Sequence, residues 1–437
     1  MSNWIKLPLI AALALSLAWL IVQIFDVLPR LTTRQALALE TLRAPPPAHG
    51  TRNGFAAIWA SGHGVPEQDV EEVLMQEIAA WEAYIQDGDV PPRSVLHNYP
   101  ALAGADGEDA PCTWSTDDCL AVVRQDMQSA EQWLLQTAEF ARRSMAIAQY
   151  DHVHNRMPAH LATPLLGYRG HGEVALTRAA HLHASGDFAA AIESICAFGR
   201  TWRPFVASTD MLLTQISVGQ MIASAARLRA AILAEISDPP DGSPECDEAF
   251  SPLSDSEIDL CSSMRGEWRT FEPMVLSMRG DASSLGERAT TLLMYHQEHT
   301  LAMLAEQIYK ACALTRSELA ARRQPFDADQ VEDPSCPWHA YAFNPIGCVL
   351  ATIGAPPAEN YYNRLLDTDA RLRLVQLAIA LRSSEGRSPA QVQSEAERLL
   401  PYHHVDYDPE RGVLSVAQPH TSSGKPWSVV LQGATLQ

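Results

Sequence analysis

Hydrophobic residues recur every three to four positions along most of this chain, the spacing that places them on one face of an α-helix. Between Pro66 and the prolines at 91 and 92, for example, an apolar stripe runs from Val70 to Ile85. Prolines, glycines and helix-capping residues separate such stretches. The predicted helices cover residues 66–90, 115–145, 173–184, 188–202, 208–236, 255–271, 285–323 and 358–382.

Patterns typical of β-strands occur only near the end of the chain. Residues 413–416 and 427–431 are rich in valine and flank a turn-forming segment at 421–426, which predicts a β-hairpin. The predicted fold class is therefore all-α, with an N-terminal transmembrane helix, a body of helical hairpins and a small C-terminal β-hairpin.

The first hydrophobic segment differs from the others because it is apolar on every side. Residues 7–25 carry no charge, and about 19 helical residues span the hydrocarbon core of a bilayer. The bulky residues 23–28 do not form the small-residue site of a cleaved signal peptide. The segment is predicted to be an uncleaved signal anchor in a bacterial inner membrane.

Four regions follow from these patterns. Residues 1–30 form the transmembrane anchor. Residues 31–52 form a juxtamembrane helix and a spacer, in which three consecutive prolines favour extended polyproline II geometry. Residues 53–385 form the helical body, and residues 386–437 form a helix with the β-hairpin.

The eight cysteines all lie after the anchor, and none matches a closely spaced metal motif. Three pairs bracket loops or a helix start and are candidate disulfides. Two further cysteines fall inside predicted helices, where they are either buried thiols or a bridge between helices. Disulfides require an oxidising compartment, which favours a body in the periplasm. The candidate pairs are Cys112 with Cys119, Cys246 with Cys261 and Cys336 with Cys348; the helical cysteines are Cys196 and Cys312.

Charge narrows the range of partners. With 52 acidic against 32 basic residues the formal net charge is −20, so a nucleic-acid partner is not expected, because phosphate binding needs a basic face. Only three lysines occur. Together with abundant alanine, this arginine bias is typical of a GC-rich bacterial genome.

Several histidine pairs raise the possibility of a metal site. His296 and His299 lie three positions apart on a predicted helix, but their order differs from the zinc-protease motif. The other candidate groups have short spacings that are also common in polar loops and on helix surfaces. They are His152, His154 and His160; His181 and His183; and His403 and His404 with Asp406 and Asp408. We therefore expect no metal ligand and no cofactor.

No motif for nucleophilic or phosphate chemistry is convincing. The chain has no Gly-x-Ser-x-Gly elbow, and the glycine-rich residues 167–172 lack both a preceding strand and a Walker lysine. Carboxylate pairs such as Asp117 and Asp118 begin helices, where acids are favoured electrostatically. No catalytic residue is predicted.

Two resemblances are carried by short motifs. Ala180, Gly186, Phe188 and Ala191 resemble the turn of a tetratricopeptide hairpin, but an array needs several copies and only one is visible. The layout also resembles a set of uncharacterised bacterial single-span helical proteins through residues 265–269, 344–347 and 400–402. This resemblance implies the architecture alone, because those proteins have no established activity.

The sequence thus favours a non-enzymatic, membrane-anchored periplasmic protein that binds or scaffolds another protein or an envelope component. One alternative is an immunity protein that neutralises a periplasmic toxin. Another is a metal-dependent enzyme that uses His296 and His299 or His152 and His154. Under the favoured hypothesis, alanine at both His296 and His299 leaves metal content and folding unchanged.

Overall fold

The computed structural model describes residues 31–45, 47, 50–87, 90–160, 162–236, 243–278, 294–326, 336, 341, 344–354, 358–382, 388–417 and 426–431. Within these residues the helices are α1 Thr33–Arg43, α2 Phe55–Ala60, α3 Val70–Asp87, α4 Cys119–Gln125, α5 Met127–Gln136, α6 Ala138–Ala146, α7 Arg169–Ala184, α8 Phe188–Trp202, α9 Leu212–Glu235, α10 Pro244–Ala249, α11 Asp255–Ile258, α12 Cys261–Ser277, α13 Gln297–Thr315, α14 Glu318–Ala321, α15 Pro345–Gly354, α16 Ala358–Arg382 and α17 Pro389–Leu399. The strands are β1 Val405–Asp408, β2 Val413–Val416 and β3 Trp427–Val430. The predicted all-α body with a terminal β element is confirmed.

The predicted anchor, residues 7–25, lies outside the described residues. Among the residues that are described, α9 is the helix long and apolar enough to cross a membrane. Most of α9 is buried within the body, as expected for the core helix of a globular protein.

Helix α9 is the centre of the body and is surrounded by packed elements. It contacts α4, α7, α8, α12, α16 and β3. Its buried residues lie on every side of the helix and include Val218, Ile222, Ala226 and Ile232, because a helix without a solvent face needs no polar stripe. The other helices therefore form a shell around α9.

The predicted hairpin of α7 and α8 is confirmed. Gly186 ends the turn with a φ of +86°, a conformation that costs glycine little. Asp187 then caps α8 by accepting a hydrogen bond from the Ala190 amide.

The single helix predicted over residues 115–145 was wrong: this region forms three helices, α4, α5 and α6. Asp118 caps α4 through the Ala121 amide, and Asp126 caps α5 through the Ser129 amide. An aspartate side chain that accepts a hydrogen bond from a nearby backbone amide competes with the continuation of a helix. The helix is therefore interrupted at Asp126. A further break follows at Thr137, whose hydroxyl donates to the Trp133 carbonyl.

Helix α1 packs into the body instead of standing apart as a juxtamembrane segment. It contacts α12 and α13, and it buries Ala38, Leu39 and Leu42. Ion pairs from Arg34 to Glu306 and from Arg43 to Glu272 lie at its two ends. The folded body therefore begins before the proline-rich segment, not after it.

The terminal β element is a three-stranded antiparallel sheet in the order β1-β2-β3, one strand more than the predicted hairpin. Strands β2 and β3 pack on α16, and β3 also packs on α9. The Trp427 ring lies within 6 Å of two guanidinium groups, those of Arg227 on α9 and Arg371 on α16. These cation–π contacts fix the sheet to the core helices.

The eight cysteines form four disulfides in the structure. Cys112 bonds Cys119, and Cys336 bonds Cys348. The expected pairing of Cys246 with Cys261 is not formed: the four remaining cysteines pair instead as Cys196 with Cys246 and Cys261 with Cys312. Each of these bridges links two helices across about 50 residues, a proximity that loop position in the sequence does not reveal.

Removal of the Cys196–Cys246 bridge in a Cys196→Ser, Cys246→Ser variant should lower the free energy of unfolding by about 4 kcal/mol, because the bridge closes a long loop in the unfolded chain. The matched variant without Cys112 and Cys119 should lose about 2 kcal/mol, since that loop is short. Urea unfolding of the detergent-solubilised chain measures both. Non-reducing peptide mapping that links Cys246 to Cys261 would contradict the pairing.

Candidate functional site

A groove of about 800 Å³ lies where the terminal sheet meets the helical body. Its walls are the start of α4 and residues 428–431 at β3, and the second half of α9 forms its floor. The volume is typical of sites that take a small ligand or a short peptide. We call it the β3 groove; its lining includes Thr116, Leu120, Arg124, Leu228, Arg411 and Val430.

The α4 wall is held by a short covalent loop. The Cys112–Cys119 bridge closes this loop, and the Cys112 amide donates to the Thr177 hydroxyl of α7 at 3.3 Å. The hydroxyls of Thr113 and Thr116 contact each other at 2.9 Å. The disulfide therefore closes this wall on itself, and the hydrogen bond to Thr177 attaches it to α7.

The β3 wall is the last strand of the sheet in the described part of the chain. Among the described residues, β3 pairs only with β2, so its second edge faces away from the sheet. The Leu431 amide donates to the Gly412 carbonyl at 2.7 Å. Since antiparallel ladders alternate, Val429 and Trp427 also bond toward β2, and the amides and carbonyls of Ser428 and Val430 point to the other edge. All four residues from Ser428 to Leu431 line the groove.

Charged residues of both signs line the groove. The Arg124 guanidinium bonds both carboxylate oxygens of Glu235, and this hydrogen bonding raises the pKa of Arg124. Arg227 pairs with Asp117 at 3.4 Å, and burial lowers the pKa of Arg227. Because cations and anions balance, the groove is suited to a ligand without a large net charge.

The floor between these charges is apolar. Leu120, Leu176, Leu228 and Ala231 line the groove beside Val429. A ligand there can bury side chains on the floor while its polar groups meet the edge of β3 or the charged pairs. Such a combination of an apolar base and a few directional polar groups is typical of binding sites.

The histidine groups considered as candidate metal sites lie in several different environments. In the part of the chain that is described, no group of three or more histidine, cysteine or acidic residues is placed to hold a metal ion. The rings of His152 and His154 contact each other at a tilt of 57° with centroids 4.5 Å apart, whereas His160 packs on Tyr84 of α3. The three histidines are therefore divided between two packing environments.

His296 precedes α13 rather than lying on it. Its Nδ1 accepts a hydrogen bond from the His299 amide at 3.3 Å, which is a helix-capping contact. Asn344 accepts from the His296 amide at 2.8 Å and donates to the Thr300 hydroxyl. The hydrogen bonds of Asn344 to His296 and Thr300 thus join the start of α13 to the start of α15.

The remaining sequence candidates are distributed over separate elements. His183 lies near Glu235 and Arg124 at the groove, and burial lowers its pKa. His403 lies 3.6 Å from Asp367 of α16, and Asp406 and Asp408 belong to β1. Within the glycine-rich residues 167–172, residues 169–172 are the first turn of α7. Gly170 there packs on the carbonyls of Gly104 and Ala105, so no anion cradle is formed.

Sequence reasoning missed the groove and several buried ion pairs. Arg269 pairs with the fully buried Asp210, and Arg265 donates to the Thr41 carbonyl of α1. The Arg265–Arg269 motif therefore joins α12 to the core and to α1. No local pattern signalled the groove, because its residues come from separate segments spread between positions 113 and 431.

Comparison with known proteins finds no matching family model, no similar curated protein and no similar solved structure.

His171 is the most deeply buried histidine of α7. Its ring stacks between Phe140 and Trp202, and its Nε2 lies 3.2 Å from the Ser61 hydroxyl. Burial lowers the pKa of His171 to about 3. The imidazole therefore stays neutral in the folded protein under conditions in which the unfolded chain binds a proton.

Replacement His296→Ala should lower the free energy of unfolding by about 1 kcal/mol, because it removes the capping acceptor of α13. The matched His299→Ala variant retains that acceptor and the His299 amide, and should change stability by less than about 0.5 kcal/mol. Thermal or urea unfolding measures both. Equal stability in the two variants would contradict the capping role and restore the expectation that both positions are neutral.

Acidification should destabilise the protein through His171. Its folded-state pKa lies below its ordinary value, so its stabilising contribution is complete above about pH 6.5 and is lost as the pH falls toward 3. Between pH 7 and pH 5 the wild type should lose about 2 kcal/mol more than the His171→Gln variant, which keeps a partner for Ser61. Urea titrations at the two pH values that show equal losses would exclude this role.

Proposed function

We propose that this protein is a membrane-anchored, periplasm-facing binding protein that holds an extended segment of a partner protein in the β3 groove. The segment adds as a strand to the edge of β3 while its side chains rest on α9. The observation that carries the proposal is that β3 lines a groove and has, among the described residues, no strand partner on its second edge.

An added strand would supply hydrogen-bond partners for the backbone groups of this edge. The amides and carbonyls of Ser428 and Val430 are the groups that a partner strand would bond. Recognition through main-chain hydrogen bonds, with side chains entering adjacent pockets, is an established mode of peptide binding. It requires no catalytic residue.

The surroundings favour a peptide over a small ion or a nucleic acid. Three arginines and three acidic residues line the groove, and four of them form the pairs Arg124 with Glu235 and Arg227 with Asp117. An extended peptide offers both hydrogen-bond donors and acceptors along its length, as the edge does. A periplasmic toxin with an extended contact segment would be one such partner.

Two further features support the proposed location of the protein in the inner membrane with its body in the periplasm. The uncharged residues 7–25 support an anchor in the inner membrane. The four disulfides support an oxidising compartment for the body.

Replacement Ser428→Pro should weaken peptide binding about tenfold, because proline removes an amide directed at the partner strand, a loss of about 1.4 kcal/mol. It should spare the β2–β3 ladder, since that amide does not bond β2. The probe is a ten-residue peptide selected from a random library on the full chain in nanodiscs. Titration calorimetry then measures the dissociation constant.

The matched control is Ser428→Ala, which keeps the amide and should change affinity less than twofold. Methylation of every second amide of the selected peptide should weaken binding in one register and leave the other register unaffected. The proposal fails if Ser428→Pro and Ser428→Ala bind the peptide equally well.

A further inference from the structure

Helix α15 packs on α13 through its small residues. A methyl group at Gly347 would overlap Thr300 and Asn344, and one at Gly354 would contact Leu304 at 3.5 Å. Gly347, Cys348 and Ala351 are buried on this side. The close approach of the two helices therefore leaves no room for a large side chain at these positions.

The opposite side of α15 carries its large residues. Ile346 and Leu350 flank this side and pack against the core, whereas Val349 and Ile353 lie one turn apart on the exposed face, and we call these two residues the α15 stripe. Val349 is 49% exposed and Ile353 is 73% exposed. The helix contains no charged residue, so this apolar face has no charged side chains of its own to solvate it. Exposed apolar stripes of this kind mark protein or membrane contacts.

The position of α15 relates this stripe to the start of the body. α15 and α1 both pack on α13, α15 beside Thr300 and Leu304 and α1 beside Glu306. Only residues 26–30 separate the apolar segment 7–25 from Leu31, a distance of about 20 Å at full extension. α1 itself exposes Leu37. If residues 7–25 span the bilayer, α1 and its neighbours lie next to the membrane surface.

We propose that the α15 stripe inserts into the interfacial layer of the bilayer and is a second membrane contact, which sets the orientation of the body. This inference rests on the anchor of the proposed function and adds a surface to it. The anchor holds the stripe at a high effective concentration near lipid, so two apolar side chains suffice where an isolated helix would bind weakly.

A photoreactive residue distinguishes lipid from protein at this surface. The full chain carries p-benzoylphenylalanine in place of Ile353 in proteoliposomes with tail-labelled phospholipid. The matched control places the same residue at Leu135, which is 72% exposed on α5, a helix that packs on α7. Both sites are highly exposed, so neither substitution removes core packing. Carbonate extraction of the same membranes tests the anchor separately.

The expected result is that the chain stays in the membrane after carbonate treatment and that position 353 forms lipid adducts about tenfold more than position 135. A retained chain with equal adducts at the two positions overturns the stripe contact and leaves the anchor standing. A covalent dimer or an adduct with another protein at 353 also overturns it. Release by carbonate overturns the anchor and the stripe contact together, whereas peptide binding in the β3 groove is measured independently.

Discussion

The structure depends on the burial of α9 on all of its sides. A helix in that position must have its polar side chains paired within the protein, because an unpaired buried polar group costs free energy. Thr214 meets the Tyr168 hydroxyl at 2.6 Å, and Gln215 bonds the Glu257 carbonyl and the Ser263 hydroxyl. Burial raises the pKa of Tyr168, so its phenol stays neutral as a partner. These contacts fix the rotation of α9 about its axis. They therefore determine where α12, α16 and β3 can pack on it.

Peripheral helices are held to this core by bonds that bridge long stretches of chain. Arg203, just after α8, donates to the Ser251 carbonyl at 2.8 Å, to the Pro252 carbonyl at 3.0 Å and to Glu257. The Cys196–Cys246 bridge joins the same two regions. A buried arginine with this many acceptors is expensive to leave unpaired, so the segment around α10 and α11 is restricted to one arrangement. The disulfide then limits how far this segment can move away from α8 when the protein unfolds.

Hydrophobic spacing was sufficient to predict the helical body, the α7–α8 hairpin and two of the three strands, because these features depend on local periodicity. Spacing could not find the breaks at Asp126 and Thr137, where a side chain competes with a backbone bond. It paired Cys246 with Cys261 because they are near in sequence, whereas packing placed each beside a different helix. The β3 groove could not be predicted from spacing either, because it depends on long-range packing: α4, α9 and β3 meet only after the sheet has docked through Trp427.

The dimensions of the β3 edge limit how a partner can bind. The strand has four residues, and only Ser428 and Val430 direct backbone groups outward. Edge strands that are short resist uncontrolled pairing with other chains, and Pro426 precedes this one. At most four main-chain bonds are available, and each contributes about 1 kcal/mol. Affinity must therefore also come from apolar side chains on the α9 floor, which makes the partner's side chains, rather than its backbone, the source of specificity.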